Sequence, residues 1–297
     1  MLHRDVLDAI GRTPMVRLRR MVPVESAEVW LKLEYVGLGG SIKDRAALSM
    51  VLAAERSGAL RPGGSIVEAS GGNTGVGLAM VCAARGYKCT IVVPEGTARE
   101  KLSVLDALGA TVICDDDFVA TASRIARETN AVLPNQFDNP ENPACHVVGT
   151  GPEILADTGG ELDALVVCVG SGGTLAGLSR FFAERAPNVK VIAAAPASAD
   201  SLIEGVTSDA LDAPVHGVRL QAVIRVDDAT AIDTMRRLAR EEGILAGGST
   251  GVATWAALQL ARDLGVGKRV VVIAADTARN YLSTYFDEAW RVAHGLA

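Results

Sequence analysis

Residues 65–94 read SIVEASGGNTGVGLAMVCAARGYKCTIVVP, and in them short apolar runs alternate with one longer run of helix-forming residues. Ser65 to Ala69 and Cys89 to Pro94 have the length and the apolar character of buried strands. Thr74 to Arg85 lies between them and has the length of a helix. A strand, a crossover helix and a second strand are the repeating unit of parallel sheets, so this stretch predicts an α/β fold.

The same alternation continues through the rest of the chain. Thr97 opens a predicted helix with Glu100 three residues later, the spacing of a capping box, and Gly109 closes it before the strand Thr111 to Cys114. The segment 196 to 228 has weak periodicity and receives no assignment. The remaining predicted elements are strands at Leu165 to Val169, Val189 to Ala194 and Arg269 to Ala275, and helices through Phe182, near 229 to 242, over 251 to 264 and from about Tyr281.

The size of the chain predicts two lobes. Its 297 residues, of which 49% are hydrophobic, exceed what one ordinary core holds. The pattern also changes near residues 145 to 150, after a loop rich in Asn and Pro. We therefore expect two three-layer αβα lobes with mostly parallel twisted sheets and a cleft between them.

Charge and composition exclude several classes of protein. A net charge of -6 without a basic stripe argues against nucleic acid, so a small molecule is the expected partner. No stretch approaches the roughly 18 apolar residues of a membrane span, and we expect a cytoplasmic protein with no membrane partner. The acidic residues at 115 to 117 fit a solvated turn and a helix N-cap, so no metal site is predicted, and His146 and His216 are interpreted as structural. An odd number of cysteines without a CxxC pair predicts reduced core residues at Cys82, Cys89, Cys114, Cys145 and Cys168.

Two glycine-rich loops lie where a predicted strand ends and a helix begins, the place where exposed backbone N–H groups and the helix dipole favour anions. The loop Gly170 to Thr174 reads GSGGT and would hold one phosphate, or else its glycines only form a tight turn. Leu175 and the absence of a lysine in this loop exclude a dinucleotide fingerprint and a P-loop. The loop Ser70 to Gly75 could bind a carboxylate, while Asn73 or Thr74 could cap the helix, and the residues leave both roles open.

Lys43 lies in the polar and glycine-rich stretch Gly39 to Arg45. Ser41 with Asp44 three residues later has the spacing of a capping box, which puts Lys43 in the first turn of the helical run Ala46 to Glu55. The positive end of a helix disfavours an ammonium and favours the neutral amine, the form in which a Schiff-base lysine attacks an aldehyde. From the residues alone, a solvated helix lysine remains the other interpretation.

Several motifs follow one another along nearly the whole chain, namely residues 10–18 (IGRTPMVRL), 40–45 (GSIKDR), 68–75 (EASGGNTG), 135–137 (NQF), 150–153 (TGPE), 170–174 (GSGGT), 242–249 (EGILAGGS) and 281–283 (YLS). In these motifs the sequence resembles the cysteine synthase and cystathionine β-synthase family of fold-type II pyridoxal-phosphate enzymes, whose fold is similar to that of tryptophan synthase β. The resemblance implies a homodimer. It also implies that residues 40–147 form a smaller mobile α/β domain and that residues 1–39 plus 148–297 form a larger domain that anchors the cofactor.

The resemblance implies a role for each matching residue. Lys43 would form the Schiff base with pyridoxal 5'-phosphate and later move the proton at the substrate Cα. Asn73 would hydrogen-bond the ring hydroxyl oxygen of the cofactor and Ser249 its pyridine nitrogen, although Ser249 could also cap the helix that follows. The cofactor phosphate would be held by Gly170, Ser171, Gly172, Gly173 and Thr174. The substrate carboxylate would be bound by Ser70, Gly71, Gly72, Thr74 and Gln136.

The implied reaction is a β-replacement on an O-activated L-serine, such as O-acetylserine or O-phosphoserine, or on serine itself. Loss of the β-substituent gives an aminoacrylate, to which sulfide or a thiol adds to form cysteine or a cysteine-like product. Two features depart from the family, because Gly71 stands where a serine is common and the segment 203 to 226 is short. Three alternatives stay open: β-elimination by a serine or threonine dehydratase or related lyase, a nicotinamide-dependent oxidoreductase, and a noncatalytic binding relative.

Overall fold

The computed structural model describes residues 2–208 and 215–296, so residues 209–214 of the unassigned segment lie outside the described residues. Contacts within the chain separate it into two compact units. The first unit comprises the described residues of Met1–Gly11 and Gly37–Cys145, and the second those of Arg12–Val36 and His146–Ala297. Each unit contains its own sheet.

Strands and helices alternate along most of the described chain. The strands are β1 (Met15–Arg17), β2 (Glu28–Leu33), β3 (Ser65–Ala69), β4 (Lys88–Val93), β5 (Thr111–Cys114), β6 (Ala164–Cys168), β7 (Lys190–Pro196), β8 (Val223–Val226) and β9 (Arg269–Ala274). The α-helices are α1 (Lys43–Arg56), α2 (Asn73–Arg85), α3 (Arg99–Ala107), α4 (Phe118–Thr129), α5 (Glu141–Cys145), α6 (Gly151–Asp157), α7 (Gly173–Arg185), α8 (Asp228–Arg237), α9 (Gly248–Leu264) and α10 (Glu288–Ala293). Short helical turns of other types occupy Val6–Ala9, Glu34–Val36, His146–Thr150, Leu238–Glu242 and Ala278–Tyr281.

The sheet of the first unit is parallel and has the order β3-β4-β5, with Ser65 opposite Lys88. Ile66 belongs to a core that includes residues of α1 and α2, whereas Val67 packs with residues of α4. Successive side chains of a strand point to opposite faces of the sheet, so helices cover both faces and the unit has three layers.

The sheet of the second unit has the order β1-β2-β9-β6-β7-β8. Only its edge strand β1 is antiparallel among the described strands, with Met15 opposite Lys32, and the remaining strands are parallel. The strands β6 and β9 are neighbours, with Val166 opposite Val272, and α9 lies against both. Because parallel strands end at the same edge, the segments that follow β6 and β9 begin side by side.

The α/β fold predicted from the sequence is confirmed, and β3 and β5 have the predicted bounds. Three element starts are wrong. The helix predicted over 251 to 264 begins at Gly248, because Gly247 is its N-cap. The helix predicted from Thr97 begins at Arg99, because the Thr97 hydroxyl donates to Pro94 O at 2.8 Å and does not cap the helix. The helix predicted from Tyr281 begins at Glu288, since Tyr281 ends a short 3-10 turn instead. The strands β1, β2 and β8 are additional to the prediction.

The cysteines are free, as predicted, although Cys114 is exposed and its placement in the core is therefore wrong. Asp117 caps α4 by accepting the Ala120 N–H at 3.3 Å, which confirms the turn and N-cap interpretation of the acidic residues at 115 to 117. Within the described residues, no group of three or more His, Cys, Asp and Glu side chains could hold a metal ion. None of the helices in these described residues could span a membrane.

Candidate active site

Lys43 lies in the first turn of α1, as predicted, and is its first residue. The turn before it sets its position. Ser41 Oγ accepts the Lys43 N–H at 3.2 Å, and Asp44 Oδ2 accepts the Gly39 N–H at 2.8 Å. Ile42 is the N-cap residue, so Ser41 and Asp44 do not form the predicted capping box. Their side chains nevertheless hold the turn from which the lysine emerges.

The amine of Lys43 loses much of its usual basicity. Burial lowers the pKa of Lys43 from 10.5 to about 8, and an electrostatic interaction with Cys145 opposes this only in part. At pH 7.5, about a quarter of an amine with this pKa is neutral, against roughly one in a thousand for an ordinary lysine. Lys43 can therefore act as a nucleophile and as an acid and base near neutral pH.

The loop that joins β3 to α2 is organised around one hydroxyl group. Ser70 Oγ accepts the N–H of Gly72 at 3.3 Å and that of Gly75 at 3.2 Å. The N-cap of α2 is Gly72, so the alternative in which Asn73 or Thr74 caps the helix is wrong. A Cβ atom added to Gly72 would meet nothing within 4 Å. The backbone at Gly72 thus borders open space, where an anion could approach the first turn of α2.

Gly71 is required by a close neighbour. A Cβ atom at this position would lie 2.8 Å from Pro94 Cδ, which is shorter than real Cβ contacts. A serine would therefore not fit this backbone without a shift of Pro94. The departure from the family pattern at Gly71 follows from this packing, and Gly71 offers only its backbone to a ligand.

Gln136 lies close to the loop after β3. Its side chain is buried, and Thr74 Oγ1 donates to Gln136 Oε1 at 2.7 Å. Asn142 Nδ2 donates to the Gln136 carbonyl at 2.8 Å. Two of the residues predicted to bind the substrate carboxylate, Thr74 and Gln136, are thereby brought together. Because Gln136 Oε1 faces the Thr74 hydroxyl, the Gln136 NH2 group points away from that hydroxyl. The NH2 group can therefore donate to another acceptor.

The loop Gly170 to Thr174 joins β6 to α7, and α7 begins inside it. Gly172 has a φ of +81°, and a Cβ atom there would lie 2.0 Å from Val215 Cγ1. A Cβ atom on Gly170 would lie 2.2 Å from Gly205 O. Both glycines are therefore required by close neighbours. The first-turn N–H groups of α7 remain available for an anion such as a phosphate.

Residues 215–218 form a small hairpin that lies against this loop. Val215 and Val218 exchange backbone hydrogen bonds at 2.9 Å, and His216 Nε2 lies 2.9 Å from Ser171 O. Arg180 donates to the carbonyl of His216, which has a φ of +45°. Residues 215–218, which belong to the segment without a sequence assignment, thus pack against the predicted phosphate loop. Irregular structure of this kind carries no periodicity to detect.

His146 ties the phosphate loop to the rest of the second unit. It is 1% exposed, its Nδ1 lies 2.9 Å from Thr150 Oγ1, and its Nε2 lies 3.2 Å from Thr174 Oγ1. The sequence predicted a structural role, and the structure adds that the residue it orients belongs to the predicted cofactor site. The only feature of the local sequence that could have indicated these contacts is the spacing of four residues between His146 and Thr150.

Ser249 lies in the first turn of α9, after the N-cap Gly247, so the helix-cap alternative for Ser249 is wrong. The Gly247 N–H donates to Asp276 O at 2.9 Å, and a Cβ atom on Gly247 would lie 2.1 Å from Asp276 Oδ1. Tyr281 donates to Asp276 Oδ2 at 2.6 Å. These contacts fix the start of α9. The Ser249 hydroxyl is half-buried, and a hydroxyl can donate to or accept from a ring nitrogen.

The residues present fit pyridoxal phosphate, each unit taken by itself. The first unit has an amine of lowered pKa at Lys43 and an open anion site at Gly72. The second unit has a glycine loop at a helix start and the hydroxyl of Ser249 at another. An aldehyde, a phosphate and a ring nitrogen are the groups that such residues can bind.

Comparison with known proteins points to one family. The family model described as pyridoxal-phosphate dependent enzyme matches residues 6–276. The chain is 39% identical to the cysteine synthase of Staphylococcus aureus over 94% of this chain and 96% of the relative. It is 38% identical to the cystathionine beta-synthase of Apis mellifera, over 98% of this chain and 63% of that longer relative.

Solved structures of similar proteins agree with the sequence comparison. The crystal structure of O-ureido-L-serine synthase superposes with a TM-score of 0.90 and 36% identity, covering 100% of both chains. That of a hydrogen sulfide-producing enzyme from Fusobacterium nucleatum has a TM-score of 0.86 and 32% identity, covering 95% of this chain and 100% of the other. The likeness therefore extends to sequence as well as to fold.

Proposed function

Since the chain belongs to the pyridoxal-phosphate dependent enzyme family, we propose that it catalyses a β-replacement on an O-activated L-serine. Family membership confirms the cofactor that the motifs predicted. The observation that carries the proposal is Lys43 at the start of α1, with an amine whose pKa burial lowers to about 8.

The names of the relatives support this reaction class. A cysteine synthase, a cystathionine beta-synthase and an O-ureido-L-serine synthase all make amino acids that carry a new group on a β-carbon. The accepted amino acid is O-acetylserine, O-phosphoserine or serine, and the nucleophile is sulfide or a thiol. The product is then cysteine or a cysteine-like amino acid, and the enzyme is a transferase or lyase of amino-acid biosynthesis.

The proposed role of each cofactor-binding residue follows from the motif in which it lies. Lys43 would bind its aldehyde, Asn73 its ring hydroxyl oxygen and Ser249 its ring nitrogen. When bound, pyridoxal phosphate withdraws electrons from the substrate Cα, which acidifies the Cα–H bond and allows a β-substituent to leave. The phosphate would be held by Gly170, Ser171, Gly172, Gly173 and Thr174, at the start of α7.

Lys43 would also move the proton of the reaction. The Lys43 amine would take the proton from the substrate Cα and would later return it. A base works best when its pKa lies near the working pH, and the lowered pKa of Lys43 meets that condition. The hydroxyl of Ser249 provides a neutral partner for the ring nitrogen, so it does not enforce a protonated ring as a carboxylate would.

The substrate carboxylate would bind in the first unit. The open space at Gly72 borders the start of α2, where backbone N–H groups and the helix dipole attract an anion. The Gln136 amide, oriented by Thr74, would supply a further donor. The complete set proposed for the carboxylate is Ser70, Gly71, Gly72, Thr74 and Gln136.

The test begins with the absorbance of the purified protein. A near-visible band from the lysine-bound cofactor is expected, and Lys43→Ala should abolish it, whereas Lys88→Ala, at an exposed lysine of the same unit, should not. O-Acetylserine, O-phosphoserine and serine are then assayed, each with sulfide and with homocysteine. A colourless protein that binds a nicotinamide dinucleotide would refute the proposal.

A second candidate is β-elimination. It is favoured by the likeness to a hydrogen sulfide-producing enzyme, because elimination from cysteine releases sulfide. Pyruvate that accumulates from serine or cysteine without an added thiol would support elimination. Turnover that requires the nucleophile would support replacement.

The wider setting follows from the same family. We propose a homodimer that works in the cytoplasm, as the resemblance to the cysteine synthase family implies. We also propose that residues 40–147 act as a smaller mobile domain and that residues 1–39 plus 148–297 anchor the cofactor. Size-exclusion chromatography with light scattering tests the dimer, and hydrogen exchange with and without amino acid tests the mobile domain.

A further inference from the structure

Glu68, near the end of β3, is a buried carboxyl group that the proposed reaction does not use. It is 2% exposed, and its Oε2 accepts the N–H of Asn135 at 2.9 Å. Burial raises the pKa of Glu68 from 4.5 to about 7, and N–H groups of Asn135 and Ala69 oppose this in part. A buried carboxyl group is costly when no cation compensates it, and among the described residues no cation contributes to the pKa of Glu68, so its presence calls for an explanation.

The bond from Glu68 fixes the backbone directly before Gln136. Asn135 has a φ of +50°, in the left-handed region that few residues other than glycine adopt. Gln136 itself is held at its carbonyl by Asn142 and at its side chain by Thr74. Three hydrogen bonds from separate segments of the first unit therefore set where the Gln136 amide points.

Glu68 also stands two residues before Ser70, in the strand that leads into the loop at the start of α2. One carboxyl group thus joins the strand that leads to Ser70 to the residue directly before Gln136, and both Ser70 and Gln136 belong to the proposed carboxylate site. The contact spans 67 positions of sequence, so it is a specific feature of the folded unit.

We propose that Glu68 is a positioning residue, which holds the turn at Asn135 and Gln136 against the loop after β3 so that the Gln136 amide meets the substrate carboxylate. The inference rests on the proposed function, because it takes Gln136 and this loop as the carboxylate site. A merely structural role for Glu68 would change the stability of the protein and leave its affinity for amino acids untouched.

The test compares two substitutions of Glu68 in the holoenzyme. Glu68→Leu removes the acceptor, whereas Glu68→Gln keeps an oxygen for the Asn135 N–H. With O-acetyl-L-serine and sulfide, Glu68→Leu should raise KM about tenfold, the effect of one lost hydrogen bond, with kcat within about twofold. Glu68→Gln should restore KM to within about twofold of the unmodified enzyme. Glu128→Leu, on the exposed side of α4, is the control and should change neither value.

Binding is measured apart from turnover with L-alanine, which carries the α-carboxylate and no β-leaving group. Its Kd, read from the change in cofactor absorbance, should rise in Glu68→Leu by the same factor as KM. If Glu68→Leu does not fold, Asn135→Val replaces it, because a β-branched residue resists a φ of +50°. Asn135→Gly adopts that φ and keeps the N–H, so it should bind L-alanine as the unmodified enzyme does.

Unchanged L-alanine binding in Glu68→Leu or Asn135→Val would overturn the inference, and so would a loss that Glu68→Gln does not restore. The proposed function fails in a different way. A protein that binds cofactor and L-alanine but turns over no activated serine would refute β-replacement, while the L-alanine titration would still decide the role of Glu68.

Discussion

Replacing Gly172 by alanine should weaken cofactor binding, because the phosphate loop has no room for a methyl group. The Cβ atom would lie 2.0 Å from Val215 Cγ1, and the residue would have to keep a φ of +81°. The left-handed conformation costs about 1–2 kcal/mol for a residue other than glycine. Overpacking against Val215 adds about 1–3 kcal/mol, so the total is about 2–5 kcal/mol.

This cost falls on the loop that would hold the phosphate, so it should appear in the Kd for pyridoxal phosphate. We expect a rise of at least about tenfold, which corresponds to about 1.4 kcal/mol, with the remainder appearing as lower stability. The assay is an absorbance titration of the apoprotein with pyridoxal phosphate. Urea denaturation of the same samples measures the part that goes into stability.

Two further variants separate the clash from the backbone conformation. Gly160→Ala is a matched control, because Gly160 belongs to the same unit and also has a φ of +81°, with nothing within 4 Å of an added Cβ atom. Val215→Ala, combined with Gly172→Ala, removes the clashing methyl group and should recover part of the affinity. Cofactor affinity in Gly172→Ala equal to that in Gly160→Ala would refute the reasoning.

Three other predictions concern buried polar groups. His146→Ala should raise the Kd for pyridoxal phosphate about fivefold to tenfold, because Thr174 loses its buried partner, and an unchanged titration would contradict this. Lys32→Met should lower the free energy of unfolding, measured by urea denaturation, by about 1–3 kcal/mol, because it removes the buried amine that lies 3.0 Å from the Asp157 carboxylate. The loss stays in this range because Asp157 is half-exposed and water can hydrate its carboxylate in place of the amine. Glu68 has a folded pKa of about 7, above its usual value, so its ionisation costs stability as pH rises. Relative to Glu68→Gln, the unmodified protein should lose up to about 3 kcal/mol of its free energy of unfolding between pH 5 and pH 8. Urea denaturation that gives the same difference between the two proteins at both pH values would contradict this.

Most strands that could be predicted from the sequence are buried on both faces, although β5, which has its predicted bounds, is partly exposed. Residues 65–69 and 269–274 are apolar runs of strand length, as parallel strands between helices have to be. The edge strand Met15–Arg17 is short and partly exposed, and β2 carries charged residues at Glu28 and Lys32, so neither matches that pattern. The burial of Lys32 depends on carboxylates far away in sequence, which no local pattern contains.

The predicted site residues came from motifs, and the structure adds the contacts that orient them. His146 reaches Thr174 over 28 positions, and Glu68 reaches Asn135 over 67 positions. Each of these side chains is an ordinary polar residue when only its neighbours in sequence are considered. Their importance depends on burial, which removes water as the alternative partner and makes each hydrogen bond costly to lose.

The glycines of the two loops are present for different reasons, which composition alone could not reveal. Gly170, Gly71 and Gly172 are required because protein atoms occupy the place of a side chain, at 2.2 Å, 2.8 Å and 2.0 Å from an added Cβ. Gly72 has a φ of -139°, which any residue can adopt, and no protein atom occupies the place of its side chain. Packing and backbone conformation therefore do not account for glycine at position 72, and the close approach of a ligand that we propose at this backbone would account for it.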